Sequence, residues 1–207
     1  MKILSINVGQ IKPLIGPASS PAGQNAKEVK SAIYKHSVSD QSRPEPQKIT
    51  SLGLVGDEQA NLEVHGGRDK ALYAYPFEHY GFWEECLLRE KKLNTKLEYG
   101  TFGENLTVEG FTEKDVFVGD RWRVGTTLLE VVKFREPCFK FNIKMGWSGA
   151  AKAMIQSNTS GWYLRVIEEG SIQAGDSVQV IPGNRQLSIF IQCASFYNQS
   201  AQKDMWT

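Results

Sequence analysis

What this 207-residue chain lacks removes several classes of function at the outset. It has only three cysteines, Cys86, Cys138 and Cys193, widely spaced and without a CxxC pair. That argues against a zinc site or a disulfide framework and points to a reducing compartment. Neither sign of charge prevails: 24 basic residues face 23 acidic ones, so no global field recruits nucleic acid or an anionic membrane, and any anion site must be local. No apolar run approaches membrane-spanning length, and Met1-Lys2-Ile3-Leu4-Ser5-Ile6-Asn7-Val8 turns polar too soon for a signal sequence. The expectation is a soluble cytoplasmic protein with no nucleic-acid or membrane partner. Glycine fingerprints for dinucleotides or ATP are missing too, and Ser148 in Gly146-Trp147-Ser148-Gly149 lacks the spacing of a nucleophile elbow.

What is present is a chain of short strands punctuated by glycine turns. Ile3 to Val8 reads as a first strand, followed by a long irregular excursion marked by Pro13, Gly16, Pro17, Pro21 and Gly23. Strand candidates follow at Ala32-Ile33-Tyr34, Lys48 to Leu54 and Ala71 to Tyr75. Pro76 suits the first turn of a helix carrying Phe77, Tyr80, Trp83 and Leu87 on one stripe, which reads as plain core. In the run Val116 to Val132, Trp122, Val124, Leu129 and Val131 alternate around turns at Gly119-Asp120 and Gly125. A second Gly-Asp turn, Gly175-Asp176, precedes Ser177 to Ile181. Gly149 to Ser157 suits a short helix, Gly161 to Glu168 a strand, and Leu187 to Tyr197 a final helix. Many short strands with few helices predict a mainly β chain folded as a closed or strongly curved β-barrel, not a parallel α/β sheet.

The segment Arg135-Glu136-Pro137-Cys138-Phe139-Lys140 places a thiol among basic residues directly after a β-patterned run. Lys133, Arg135 and Lys140 can all stabilise a thiolate, the form that attacks electrophiles or binds soft metals. Pro137 suits a side chain presented at a strand end. The plainer reading, a cysteine filling a core position, fits poorly with such charged neighbours.

His65, Asn105, Cys138 and Arg165 each fall at an expected strand end or turn, where one barrel mouth can gather them. Gly66 and Gly67 permit close backbone approach to an anion, and Arg68, Lys70, Arg121, Arg123 and Arg165 offer charge-assisted donors for a phosphate. Taken singly, each of these charges also reads as solvated surface.

These residues carry a resemblance. Val64-His65-Gly66-Gly67 followed by Asp69 to Tyr75, then Phe102 to Thr107, then Pro137-Cys138-Phe139-Lys140, then Gly161 to Val166 with Glu168-Glu169-Gly170, resemble the MOSC domain family in its YiiM-type subgroup. The likeness runs from Met1 to about Gln192, and four ordered motifs are more specific than any one of them. It implies a barrel domain over residues 1–183 and a C-terminal helical segment over 184–207. It also implies molybdenum cofactor (molybdopterin), with Cys138 as the metal's ligand and the pterin phosphate on a subset of Gly66, Gly67, Arg68, Lys70, Arg121, Arg123, Lys140 and Arg165. The implied activity is reduction of N-hydroxylated compounds such as 6-hydroxylaminopurine, with electrons from a separate reductase and His65, Asp69 and Asn105 as candidate proton handlers. His65 reads equally well as a structural hydrogen-bonding residue. A sulfur carrier holding a persulfide on Cys138 is the alternative function, and a binding module with a structural Cys138 a third. Arg68 stands where many subgroup members have proline. The family's C-terminal three-helix bundle is represented by one helical stretch, whose apolar face must pack on the barrel, pair with another subunit or belong to a truncated chain; a truncated or diverged tail is the first expectation and contact within a homodimer the second.

Overall fold

The computed structural model describes residues 1–15, 29–60 and 66–204, with side chains to residue 198. His65 and most of the proline- and glycine-rich excursion lie outside the described residues. Eight strands form one strongly curved sheet in the order β13 (Gln179–Ile181), β9 (Arg121–Val124), β10 (Thr127–Phe134), β11 (Trp162–Glu168), β7 (Leu72–Pro76), β8 (Leu106–Glu109), β1 (Lys2–Gly9) and β4 (Lys35–Asp40). Backbone bonds then tie the chain leading into β13 back to β1: the Ile3 N–H donates to Asp176 O at 3.0 Å and the Val178 N–H to Met1 O at 3.0 Å. The curvature therefore brings the two flanks of the sheet together, as expected for a barrel-like β fold. Smaller sheets join β12 (Gly170–Ile172), β5 (Gln47–Thr50) and β6 (Gly53–Leu54), and pair β2 (Lys12–Pro13) with β3 (Lys30–Ser31).

Alternation decides which side chains fill this sheet. Trp122, Val124, Leu129 and Val131 are buried in its concave core with Ile3, Ile6, Leu72, Leu106, Trp162 and Leu164. Their neighbours Arg121, Arg123 and Glu130 therefore point out. Strand β7 is buried on both faces. Leu72 and Ala74 enter the concave core, while Tyr73 and Tyr75 face a second cluster built by helices α1 (Tyr80–Lys91), α2 (Phe139–Met145) and α3 (Ala150–Ser157). Tyr80, Trp83 and Leu87 bear out the predicted stripe, whereas Phe77 is 38% exposed. The final helix α4 (Ile189–Asp204) lays Ile189 and Cys193 on the concave core and Phe196 and Tyr197 against Phe134.

Several elements differ from expectation. Ala32 to Tyr34 is irregular chain between β3 and β4, and Lys48 to Leu54 splits into the hairpin β5–β6 about Ser51 and Leu52. The pair β7–β8 is parallel within an otherwise antiparallel sheet, because α1 provides the crossover that a parallel pair requires. Cys138 does not close a strand: β10 ends at Phe134, and Cys138 is the N-cap residue of α2.

Gly161 shows how tightly β11 enters the sheet. Its φ is +64°, and a Cβ there would lie 2.4 Å from the Ala74 carbonyl oxygen and 2.9 Å from ring atoms of Tyr73 and Tyr75. Both the left-handed backbone and the clash oppose any side chain. Gly161→Ala should cost at least about 2 kcal/mol of stability by urea unfolding. A loss within experimental error of zero would contradict this packing.

Candidate functional site

The convex side of β7 and the chain before α2 enclose a cavity of about 120 Å³. Its wall includes Cys138, Arg135, Glu136 and Lys140 from the α2 approach, Tyr73 and Tyr163 from β7 and β11, and Phe102, Gly103 and Asn105 before β8. Lys35, Asp57, Gln59 and Lys70 complete the polar part. The Cys138 thiol is half-buried, and its backbone is extended, with φ −130° and ψ 176°. It makes no capping bond to the helix, so the sulfur is left for the cavity.

The wall opposite is held by a network around Asp57. One carboxylate oxygen accepts the Gly9 N–H at 2.8 Å and Lys35 Nζ at 2.5 Å, and the other accepts Asn105 Nδ2 at 2.8 Å. Burial lowers the Lys35 ammonium, and Asp57 pulls it back up. Asn105 is fully engaged. Nδ2 also donates to Asn7 O at 3.2 Å, and Oδ1 accepts the Tyr73 N–H at 3.1 Å. Next to it the buried Glu104 carboxylate accepts the Tyr80 hydroxyl, the Gly100 and Phe102 N–H groups and Thr107 Oγ1. Burial raises Glu104, and those donors oppose the rise.

Arg135 is 6% exposed. Its guanidinium lies over the rings of Tyr73 and Phe141, 5.5 and 5.0 Å from their centroids, and donates to Met154 Sδ at 3.2 Å. Lys70 Nζ lies 5.8 Å from the Tyr163 ring centroid. Burial lowers the Lys70 ammonium, and the nearby charge of Lys133 pushes it the same way. Lys140 Nζ donates to Lys30 O at 3.2 Å.

Of the residues singled out in the sequence, the cavity wall collects Cys138, Asn105, Lys70 and Lys140. Gly66 and Gly67 sit behind it: the Gly67 N–H donates to Gln59 Oε1 at 3.0 Å, and a Cβ at Gly66 would meet that oxygen at 2.3 Å. The glycine pair thus seats a cavity residue rather than lining the space itself. Arg165 instead pairs with Asp69 at 2.7 Å and Glu130 at 3.4 Å, Arg121 with Glu130 at 3.0 Å, and Arg123 with Glu168. These form an ion-pair ladder on the outer face of the sheet, and Arg68 is exposed beside it. The alternation with buried Trp122 and Val124 is the sequence signal that places Arg121 and Arg123 outside. Sequence reasoning did not single out Lys35, Asp57, Tyr73 or Tyr163, which long-range pairing brings to the wall, and it gave Arg135 a role only as a flank to the thiol.

The three cysteines differ sharply in access. Cys86 and Cys193 are 1% and 0% exposed. Burial pushes the Cys193 thiol up to about 11 against the hydrogen bond of Ser160, so it stays protonated at neutral pH. Iodoacetamide on the native protein should therefore modify Cys138 alone, read by peptide mass mapping. Labelling of Cys86 or Cys193 at a comparable rate would contradict the packing of α1 and α4.

Comparisons with known proteins agree with this architecture. A model of the MOSC domain matches residues 61–179. YflK of Bacillus subtilis (strain 168) is 33% identical over 98% of this chain and 83% of its own length. A protein of Gibberella moniliformis named "Reductase" is 33% identical over 86% of this chain, which spans 29% of that longer protein. The crystal structure of YiiM from Geobacillus stearothermophilus superposes with a TM-score of 0.72 at 32% identity, covering 99% of this chain and 89% of that one. With a domain match over more than half its length and a relative aligned almost end to end, the chain belongs to the MOSC domain family, in its YiiM type.

Proposed function

We propose that the protein is a molybdenum-cofactor-dependent reductase of N-hydroxylated compounds, with 6-hydroxylaminopurine and related hydroxylamines as its substrate class. The observation that carries this reading is the half-buried Cys138 thiol in one cavity with Arg135, Lys70 and Lys140. The donor set fits the cofactor. Among the described residues no group of three His, Cys, Asp or Glu side chains is placed to hold a bare ion. A metal that brings most of its own ligands, as one held by pterin sulfurs does, would need from these residues only the Cys138 thiolate, a matching soft donor. The relative named "Reductase" supports redox chemistry over simple binding.

Bound there, the cofactor supplies the two electrons that, with two protons, convert N–OH to N–H and water. Cys138 Sγ would hold the metal, and Lys70, Lys140 and the backbone near Gln59 would border the pterin. The partly exposed Tyr163 ring gives a flat apolar wall against which a planar base can lie. Lys70 is the proton donor in this reading: its ammonium lines the cavity, and burial brings its acidity closer to neutral. Asp69 is committed to Arg165 on the outer surface, and the Asn105 amide is consumed by three partners. In this reading the electrons come from a separate reductase.

The test compares the native protein, Cys138→Ala and Lys70→Met, each purified from a cofactor-competent host, for molybdenum content and for reduction of 6-hydroxylaminopurine by a chemical donor. Cys138→Ala should lose both metal and activity. Lys70→Met should keep the metal and lose about 10²-fold or more in kcat. Native protein without molybdenum or pterin, carrying cyanide-labile sulfur on Cys138, would overturn the reductase and favour a sulfur carrier.

A further inference from the structure

We propose that residues 30–34 form a strap that closes the cavity over Cys138 and parts from α2 to admit a ligand. The first reason is space. The cavity holds about 120 Å³, whereas pockets that bury a planar base or a cofactor measure roughly 300 Å³ or more. One side of that space is the strap itself, since Ser31, Ala32 and Ile33 line it together with Cys138. The second reason is that the strap has little backbone support. Ser31 pairs with Lys12 in the short β2–β3 ladder and Lys35 with Gly9 in the β1–β4 ladder, but Ala32, Ile33 and Tyr34 between them belong to no strand.

Side chains of α2 hold the strap in place. Lys140 and Lys144 stand four residues apart on that helix and so share a face. Lys140 Nζ donates to Lys30 O at 3.2 Å at one end of the strap, and Lys144 Nζ lies 4.4 Å from the Tyr34 ring centroid at the other. Between these two catches Ile33 packs on the aromatic cluster beneath α2, and a Cβ on Gly103 would come within 2.9 Å of its Cγ1. Tyr34 is 42% exposed, and the Lys140 bond is open to water as well. Contacts of this kind are individually weak, and releasing them breaks no strand ladder, so the strap can open without the sheet unfolding. Cys138 is the N-cap of α2, so the helix that presents the thiol also fastens its cover. The proposal takes from the reductase reading only the size of the ligand, and its test contains no molybdenum, so the two fail separately.

The test follows alkylation of Cys138 in the full chain without added cofactor. Iodoacetamide is the small probe, and iodoacetamide carried on an uncharged polyethylene glycol chain is the large one. The native protein is compared with Tyr34→Ala, Tyr34→Phe, Lys144→Met and the double variant Tyr34→Ala with Lys140→Met. A change in the thiol's own reactivity moves both probes alike, whereas access moves the large one. Tyr34→Ala and Lys144→Met should each raise the ratio of large-probe to small-probe rate about fivefold, the scale of one lost cation–π contact. The double variant should raise it further, and Tyr34→Phe, which keeps the ring, should match the native chain. A native protein that reacts equally fast with both probes, a ratio unchanged in the variants, or Tyr34→Phe behaving like Tyr34→Ala would overturn the proposal. So would a rise accompanied by labelling of Cys86 and Cys193, which marks general loosening rather than an opened strap.

Discussion

The side-chain amide of Asn105 is the junction on which the cavity and the sheet both depend. Its carbonyl oxygen holds the Tyr73 N–H of β7, and its NH₂ group joins Asn7 O of β1 to the Asp57 carboxylate. The backbone does the same: the Asn105 N–H donates to Tyr73 O at 2.8 Å, and its carbonyl accepts the Asn7 N–H at 2.7 Å. One residue therefore bridges β1 and β7 where β8 is about to enter between them. A shorter or apolar side chain would leave buried donors and acceptors without partners, the costliest outcome for a hydrogen-bonding group out of water.

From this junction the cavity acquires unequal walls. Around Asp57 every charge is answered: the Lys35 ammonium is 7% exposed and paired, and Asp57 has three donors. The wall that carries Cys138 is different in kind. It has a buried guanidinium against aromatic rings, two further lysines and a thiol without a capping bond. The anionic, metal-bearing ligand proposed above would meet one rigid, neutralised wall and one wall lined by positive charge. The second core supports it, since α1, α2 and α3 pack on Tyr73 and Tyr75, whose hydroxyls donate to Ser160 O at 2.7 Å and Thr159 O at 3.0 Å.

Much of this was legible from local pattern. The alternation of Trp122, Val124, Leu129 and Val131 places the concave core, and the helical stripe of Tyr80, Trp83 and Leu87 places α1. Cys138 was legible because charged neighbours are unusual around a core thiol. Helix α2 was not, because Phe139, Phe141 and Ile143 alternate with polar residues, a spacing that carries no helical signal. Its helix is decided by Phe141 and Met145, four residues apart, packing into the second core. Neither was the Lys35–Asp57–Asn105 network legible, since its members lie far apart in sequence and meet only through the strand order. The outward turn of Arg121 and Arg123 was written in the same alternation that buried Trp122, and period two separates an inner position from an outer one as firmly as it identifies a strand.

The central claim is that Cys138 supplies the protein's ligand to a molybdenum centre in this cavity. Molybdenum K-edge X-ray absorption on the loaded protein tests it most directly, comparing the native chain with Cys138→Ser. The account predicts one sulfur scatterer fewer around the metal in the variant, or loss of the metal altogether. Superimposable spectra at equal molybdenum occupancy would contradict it.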